Sequence, residues 1–184
     1  MKFISQEITD VIIIEPTLLE DGRGYFVETF RQDLFNQAIG YNVEFIQENE
    51  SKSNKGVLRG LHYQLAPFSQ AKLVRVLEGR VLDVVVDIRR SSNTFGQHVS
   101  FELTAENKRQ LFVPHGFAHG FVVLSNSATF SYKVDNYYSP EYERGIAFDD
   151  EFLDIDWRLP KELIQQSNKD KNNPILADSK DLFI

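Results

Sequence analysis

The chain carries four histidines and no cysteine, so its candidate acid–base groups can be weighed one at a time. His62 stands in Gly56-Val57-Leu58-Arg59-Gly60-Leu61-His62-Tyr63-Gln64, and His119 in Pro114-His115-Gly116-Phe117-Ala118-His119-Gly120-Phe121. An imidazole titrates near neutral pH and suits proton transfer, although a lone histidine in a half-buried strand is more often a hydrogen-bonded core residue. Proton transfer at carbon also needs an acid on the opposite face and a group to hold an oxyanion. Tyr132, in Phe130-Ser131-Tyr132-Lys133, can be that acid and Lys72 that cation. Taken singly both have plain readings: a strand tyrosine packs its ring and wets its hydroxyl, and a lone lysine is solvated. His98 and His115 read as surface or structural.

The elements that must position these groups have a period of two. Val43–Asn49, Leu73–Leu77, Arg80–Ile88, Val99–Leu103 and Phe117–Leu124 are rich in β-branched and aromatic residues. Turn signals divide them at Asp21-Gly22, Glu78-Gly79, Ser91-Ser92-Asn93, Pro114-His115-Gly116 and Ser125-Asn126. Short strands at close spacing predict a sandwich or barrel rather than βαβ units. One helix is expected over Asp33–Ile39, with Gly40 as its C′ residue, and a short one near Pro160–Ile164, with proline in the first turn. The stretch from Ser167 to Pro174 (SNKDKNNP) reads as disordered on composition alone.

Length and charge bound the rest. The 184 residues fit a single domain, 1–184, and 42% hydrophobic content supplies a core. A net charge of −7 argues against nonspecific nucleic-acid binding. The absence of cysteine excludes disulfides, zinc–thiolate sites and a cysteine nucleophile. No apolar run approaches membrane-spanning length, and Met1-Lys2-Phe3-Ile4-Ser5 lacks the apolar stretch of a signal peptide. A cytoplasmic protein is expected.

Gly-x5-His-x-Gln at Gly56 to Gln64, followed by Pro-x-Gly-x-x-His at Pro114 to His119, resembles the two cupin motifs. That resemblance implies an all-β fold, a double-stranded β-helix or jelly-roll cupin barrel with a few short helices. A metal-binding cupin carries His-x-His and then Glu in its first motif. Here Gln64 replaces the second histidine, and Phe68 and Ser69 stand where the Glu is expected. Two imidazoles without a carboxylate hold Fe, Mn or Zn poorly, so no metal is expected.

More closely, the sequence resembles the dTDP-4-dehydrorhamnose 3,5-epimerases of deoxysugar nucleotide biosynthesis. The resemblance runs from Ile12 to about Pro174 through Asp21 to Glu28 (DGRGYFVE), Phe45 to Asn49, Ser51-Lys52-Ser53, GVLRGLHYQ, Lys72 to Arg75, Val86 to Arg89, GFAHGF at Gly116 to Phe121, Tyr132-Lys133, Tyr137-Tyr138 and Lys169-Asp170. It implies His62 as general base, Asp170 from the polar tail as its orienting carboxylate, Tyr132 as opposing acid and Lys72 as the cation at the C4 enolate. It implies Arg59 and Arg23 on the pyrophosphate and Tyr138 stacked on the base. Phe26, Glu28, Gln47, Asn49, His119, Glu143 and Lys169 would line the ligand. The segment from Arg23 to Glu28 is expected from a neighbouring subunit, which implies a homodimer with composite sites. No cofactor is implied, because C3 and C5 both lie beside a ketone the substrate already has.

Two positions depart from the family pattern: Glu50 replaces a histidine after Asn49, and His115 replaces a glutamate in Pro-x-Gly. Three other readings stand beside this one. They are a single-centre epimerase of a related nucleotide sugar, for example a CDP-linked one, a metal-dependent cupin, and a non-catalytic sugar-binding module.

Overall fold

A computed structural model describes all 184 residues. The chain opens with β1 (Lys2–Ser5) and β2 (Ile12–Glu15), then the hairpin β3 (Leu18–Asp21) and β4 (Gly24–Val27). Helix α1 (Gln32–Ile39) stops at Gly40, whose φ of 82° is left-handed and whose N–H bonds the Asn36 carbonyl. This is the expected glycine stop. Nine strands follow: β5 (Gln47–Asn54), β6 (Leu58–Gln64), β7 (Lys72–Glu78), β8 (Arg80–Asp87), β9 (His98–Thr104), β10 (Gln110–Val113), β11 (Phe117–Val123), β12 (Ser127–Val134) and β13 (Glu143–Gly145).

They form a six-stranded sheet, β1-β2-β10-β7-β12-β5, and a five-stranded sheet, β13-β6-β11-β8-β9, while β3 and β4 pair only with each other. Every pairing among named strands is antiparallel. The sheets face each other as a jelly-roll sandwich whose edges are not joined by strand pairing.

Alternation along the strands sorts side chains into three apolar layers. Val74, Val76, Leu111 and Phe130 of one sheet meet Val81, Val85, Phe121 and Val123 of the other. Leu82, Val84 and Val86 point away from that layer and are covered by Ile146, Leu153, Trp157 and Leu176 from the chain's last third. Phe35 of α1 closes a third layer over Ile12, Leu73 and Phe112 on the back of the six-stranded sheet. That layer explains a correction. Val43–Asn49 is not strand throughout, because Val43 and Phe45 pack into the α1 layer and pairing begins only at Gln47.

The polar stretch from Ser167 to Pro174 also departs from its composition. It is ordered, with a 3-10 turn at Asp170–Asn172 and Asp170 buried. The chain is anchored just upstream by a parallel bridge between Val57 and Gln165 and by a 3-10 turn at Lys161–Leu163, where the sequence predicts its second helix.

One irregularity in β6 decides where Arg59 and His62 point. His119 pairs with His62 but Phe121 pairs with Arg59, so β6 holds one extra residue between the two pairs. Residues three apart normally face opposite sides of a strand; this bulge turns Arg59 and His62 to the same side. Gly60 makes the bulge possible. Its φ is +129°, and a Cβ there would stand 2.4 Å from Gly120 Cα and 2.8 Å from the His119 carbonyl oxygen. Gly60→Ala is therefore expected to lower stability by at least about 2 kcal/mol, from the forbidden dihedral and the backbone collision together. A urea titration checks this against Gly22→Ala, where nothing lies within 4 Å of the added Cβ and little change is expected.

Candidate active site

A cavity of about 550 Å³ opens between the two sheets. The five-stranded sheet contributes Arg59 and His62 from β6, His119 from β11 and Glu143 from β13. The six-stranded sheet contributes Lys72 from β7 and Tyr132 from β12. Tyr138 and the tail residues Lys169 and Asp170 complete the wall. The sequence places these nine residues at a ligand site, and the fold brings all nine to one cavity.

His62 and Asp170 lie 108 positions apart in sequence and are joined by a 2.6 Å hydrogen bond from His62 Nε2 to Asp170 Oδ1. The Asp170 side chain is 5% exposed and that of His62 27%. Burial alone would raise the Asp170 pKa. The hydrogen bond and charge interaction with His62, with help from Ser167, hold it below the usual carboxylate value instead. An ionised Asp170 fixes the proton of neutral His62 on Nε2 and leaves the lone pair on Nδ1. That is an oriented base. The Ser167 hydroxyl accepts the Asp170 N–H at 3.1 Å and fixes the turn that delivers the carboxylate.

Lys72 reaches from the six-stranded sheet to the His62 carbonyl oxygen at 3.3 Å. Desolvation pushes its pKa down to about 8, against the opposing pull of Glu143 and Asp83. Tyr132 is half-buried, and burial raises its phenol above the ordinary value, with Asn49 and Arg59 pulling the other way. It therefore keeps its proton at neutral pH and can give one up. The Phe121 and Phe130 rings, stacked at 4.1 Å, line the same cavity.

The outer end is polar. Glu143 accepts the Tyr138 hydroxyl at 2.5 Å and the Lys169 ammonium, and the first of these pushes the Tyr138 phenol up to about 12. Gln47 Nε2 donates to Asn49 at 2.9 Å, and Gln47 Oε1 accepts the Tyr138 N–H at 3.3 Å. Gln47 and Asn49 thus contact Tyr138 and Tyr132 without lining the cavity. Arg59 donates to Ser53 Oγ at 3.1 Å.

Arg23, Phe26 and Glu28 are not brought to this cavity within the chain. They lie on or just after the β3–β4 hairpin, where Arg23 pairs locally with Asp21 at 2.6 Å and Phe26 is 68% exposed.

Asp83 and Gln64 brace groups around the site, and sequence reasoning did not single them out as ligand-site residues. Asp83 is fully buried, and both its oxygens accept His119 Nε2, at 2.9 and 3.0 Å. Burial pushes its carboxyl above the usual value, opposed by His119 and Lys72. The signal was a charged residue inside Arg80–Ile88, a run otherwise apolar from Val81 to Val86. Gln64 directs its amide onto main-chain groups of neighbouring loops.

His115 is a brace. It accepts or donates between Ser69 Oγ at 3.0 Å and Asp135 at 2.7 Å, beside a separate cavity under α1, and Ser69 lines neither cavity. No group of three or more His, Asp or Glu side chains converges as a metal ligand set, and no helix is long and apolar enough to cross a membrane.

Comparison with known proteins identifies relatives of the whole chain. The family described as dTDP-4-dehydrorhamnose 3,5-epimerase matches residues 5–178. The dTDP-4-dehydrorhamnose 3,5-epimerase of Shigella flexneri is 54% identical over 184 residues, covering 100% of both chains. The crystal structure of the Elizabethkingia anophelis enzyme of that name superposes with a TM-score of 0.94 at 52% identity, covering 98% of each chain. The dTDP-6-deoxy-D-glucose-3,5-epimerase of Legionella pneumophila, solved with dTDP-4-keto-L-rhamnose, gives 0.94 at 47% identity, covering 99% of this chain and 97% of that one. Matched by that family over residues 5–178 and 54% identical to one of its members across the full length of both chains, the chain belongs to the dTDP-4-dehydrorhamnose 3,5-epimerase family.

Proposed function

We propose that this chain inverts C3 and C5 of dTDP-4-dehydro-6-deoxy-D-glucose to give dTDP-4-dehydro-L-rhamnose, without a cofactor, as a cytoplasmic homodimer. The observation that carries the reading is the entry of His62–Asp170 and Tyr132 into one cavity from opposite sheets. A base and an acid so placed can act on the two faces of one sugar ring.

The C4 ketone acidifies the hydrogens on both C3 and C5. His62 takes the proton from one carbon, and the electron pair moves into the ring to place negative charge on the C4 oxygen. Lys72 holds that oxyanion, where preorganised charge is most effective. Tyr132 returns a proton to the opposite face, inverting the centre. His62 and Tyr132 then recover their starting protonation by exchange with solvent, and a ring flip brings the second carbon to the same pair. Arg59 offers a guanidinium fork to the diphosphate, and Tyr138 offers a ring face to the base.

The hairpin supports the dimer. Leu19 and Phe26, cross-strand partners on one face, are 61% and 68% exposed on a two-stranded sheet that pairs with neither large sheet, and such an exposed apolar pair suits an interface. The partner's hairpin would carry its Arg23, Phe26 and Glu28 to the open end of this cavity.

Incubation in deuterated water tests the chemistry. NMR is expected to show label at both C3 and C5, and label at one carbon alone would reassign the chain to the single-centre epimerases. His62→Ala should reduce exchange at both carbons by at least about 10²-fold. Tyr132→Phe should retain proton removal and lose inverted product.

Lys72 sets a pH limit. With its pKa near 8 it is charged below that pH and neutral above it, so kcat/KM should fall as pH rises through about 8. Tyr132, shifted upward, remains protonated across that range. Lys72→Met should lose about 10²-fold or more and show no such limb.

Composite sites predict complementation. Mixing and reassociating inactive His62→Ala and Arg23→Ala chains should restore roughly a quarter of wild-type activity, since half the dimers are mixed and each has one intact site of two. Sites built within one chain would restore none.

A further inference from the structure

Gln64 stands two residues after His62, at the position where a metal-binding cupin has its second histidine, yet its amide faces protein rather than ligand. The residue is 4% exposed. Its Nε2 donates to the Phe68 carbonyl at 2.6 Å and to the Tyr137 carbonyl at 3.1 Å, while Oε1 accepts the Ser139 N–H at 2.7 Å. Both donor hydrogens are therefore used and one acceptor site is filled.

The two contacts at Tyr137 and Ser139 bracket Tyr138. Residues 137–139 belong to no strand or helix, so the Tyr137 carbonyl and Ser139 N–H have no ladder partner, and Gln64 supplies one to each. The same strand acts on the ring. Gln64 pairs across β6–β13 with Glu143, whose carboxylate accepts the Tyr138 hydroxyl. Tyr138 is consequently held at the main chain on both sides and at its phenol by one cross-strand pair, although its residue is 52% exposed.

We infer that Gln64 is the positioning residue for Tyr138, ordering the ring before the nucleotide arrives, so that it governs nucleotide affinity rather than the proton transfers at His62 and Tyr132. The inference rests on the reading of Tyr138 as the base-stacking ring. Its physical content is preorganisation. A ring and loop ordered in the free protein do not lose that freedom on binding, and an immobilised side chain of this kind is worth about five- to tenfold in affinity.

The test uses the full-length protein and free dTDP as the probe, alongside turnover of the dTDP-linked ketosugar. Gln64→Glu has nearly the same shape and can accept the Ser139 N–H, but its carboxylate donates to neither the Phe68 nor the Tyr137 carbonyl. It should weaken dTDP binding and raise KM by about five- to tenfold, with kcat at saturation changed less than about twofold. Gln64→Leu removes all three bonds and should shift KM further in the same direction; thermal melting with circular dichroism establishes that each variant is folded. In a Tyr138→Ala background, Gln64→Glu should have no additional effect on dTDP affinity.

A fall in kcat with KM unchanged, or effects that simply add in the double variant, would overturn the inference. So would weak dTDP binding in Tyr138→Ala but normal binding in Gln64→Glu, which leaves the stacking reading intact. Normal dTDP binding in Tyr138→Ala would instead remove the stacking reading, and this inference with it.

Discussion

A buried carboxylate on an otherwise polar tail is the constraint on which the active-site architecture depends. Asp170 is almost wholly removed from water, and an ionised carboxyl in that setting is tolerated only with a partner of complementary charge or hydrogen bonding. His62 is that partner. The pairing requires the last third of the chain, which has no strand after β13 and only three-residue 3-10 turns, to cross the five-stranded sheet and arrive in register. Trp157, Leu153, Ile146 and Leu176 bury their side chains on the back of that sheet, and this apolar cover stabilises the path. The Gln165 N–H donates to the Gly56 carbonyl and the Gln165 carbonyl accepts the Leu58 N–H, and these main-chain bonds fix its last approach. Stability and catalysis therefore draw on one set of contacts: loosening the tail would both expose the back of the sheet and leave His62 without its orienting group.

The cavity's charges extend the same logic. Lys72 is placed where desolvation weakens its hold on a proton, yet Glu143 and Asp83 partly offset that cost. An enolate oxygen developing beside it would meet a cation that is poorly solvated and therefore strongly attractive. Asp83 is in turn engaged by His119, and burial favours its neutral form. The arrangement separates two kinds of carboxylate. Asp170 serves the base, while Asp83 and Glu143 fix neighbouring donors.

Much of this was legible in the sequence, and the reasons for the exceptions are physical. Alternating β-branched runs located β7, β8, β9 and β11 to within a residue or two, because each has one face in the central layer. Gly40 ended α1 for the backbone reason that a left-handed residue favours glycine. The run Val43–Ile46 misled because an apolar segment packed under a helix has the same composition as a strand. Ser167–Pro174 misled in the opposite sense: it is held by long-range contacts, among them His62 with Asp170, Glu143 with Lys169 and the Ala147 N–H with the Pro174 carbonyl, that composition does not register. Asp83 and Gln64 escaped because their partners, His119 on a neighbouring strand and the main chain of residues 68, 137 and 139, are brought near only by the fold. Arg23, Phe26 and Glu28 carry the family's residue types, but within one chain they lie on or just after the β3–β4 hairpin and away from the cavity.

The β6 strand explains how a proton-transfer site and a nucleotide site can be built so close together. Its bulge at Gly60 turns Arg59 and His62 to one side of the sheet, and regular alternation beyond the bulge turns Gln64 to that side as well. One strand thus presents, in order, a guanidinium, an imidazole held by Asp170 and an amide bonded to the main chain around Tyr138. Because all three share a rigid, paired backbone, their spacing is set by the strand rather than by loop conformation. Binding energy gathered at the nucleotide end can then serve to place the sugar against His62 and Tyr132, which is the use of remote contacts that raises turnover and not merely occupancy. A histidine in place of Gln64 could not donate twice from one nitrogen while accepting through a separate oxygen. At the position of a cupin metal ligand, this fold instead holds a side chain that gives both its donor hydrogens and one acceptor site to the main chain of neighbouring loops.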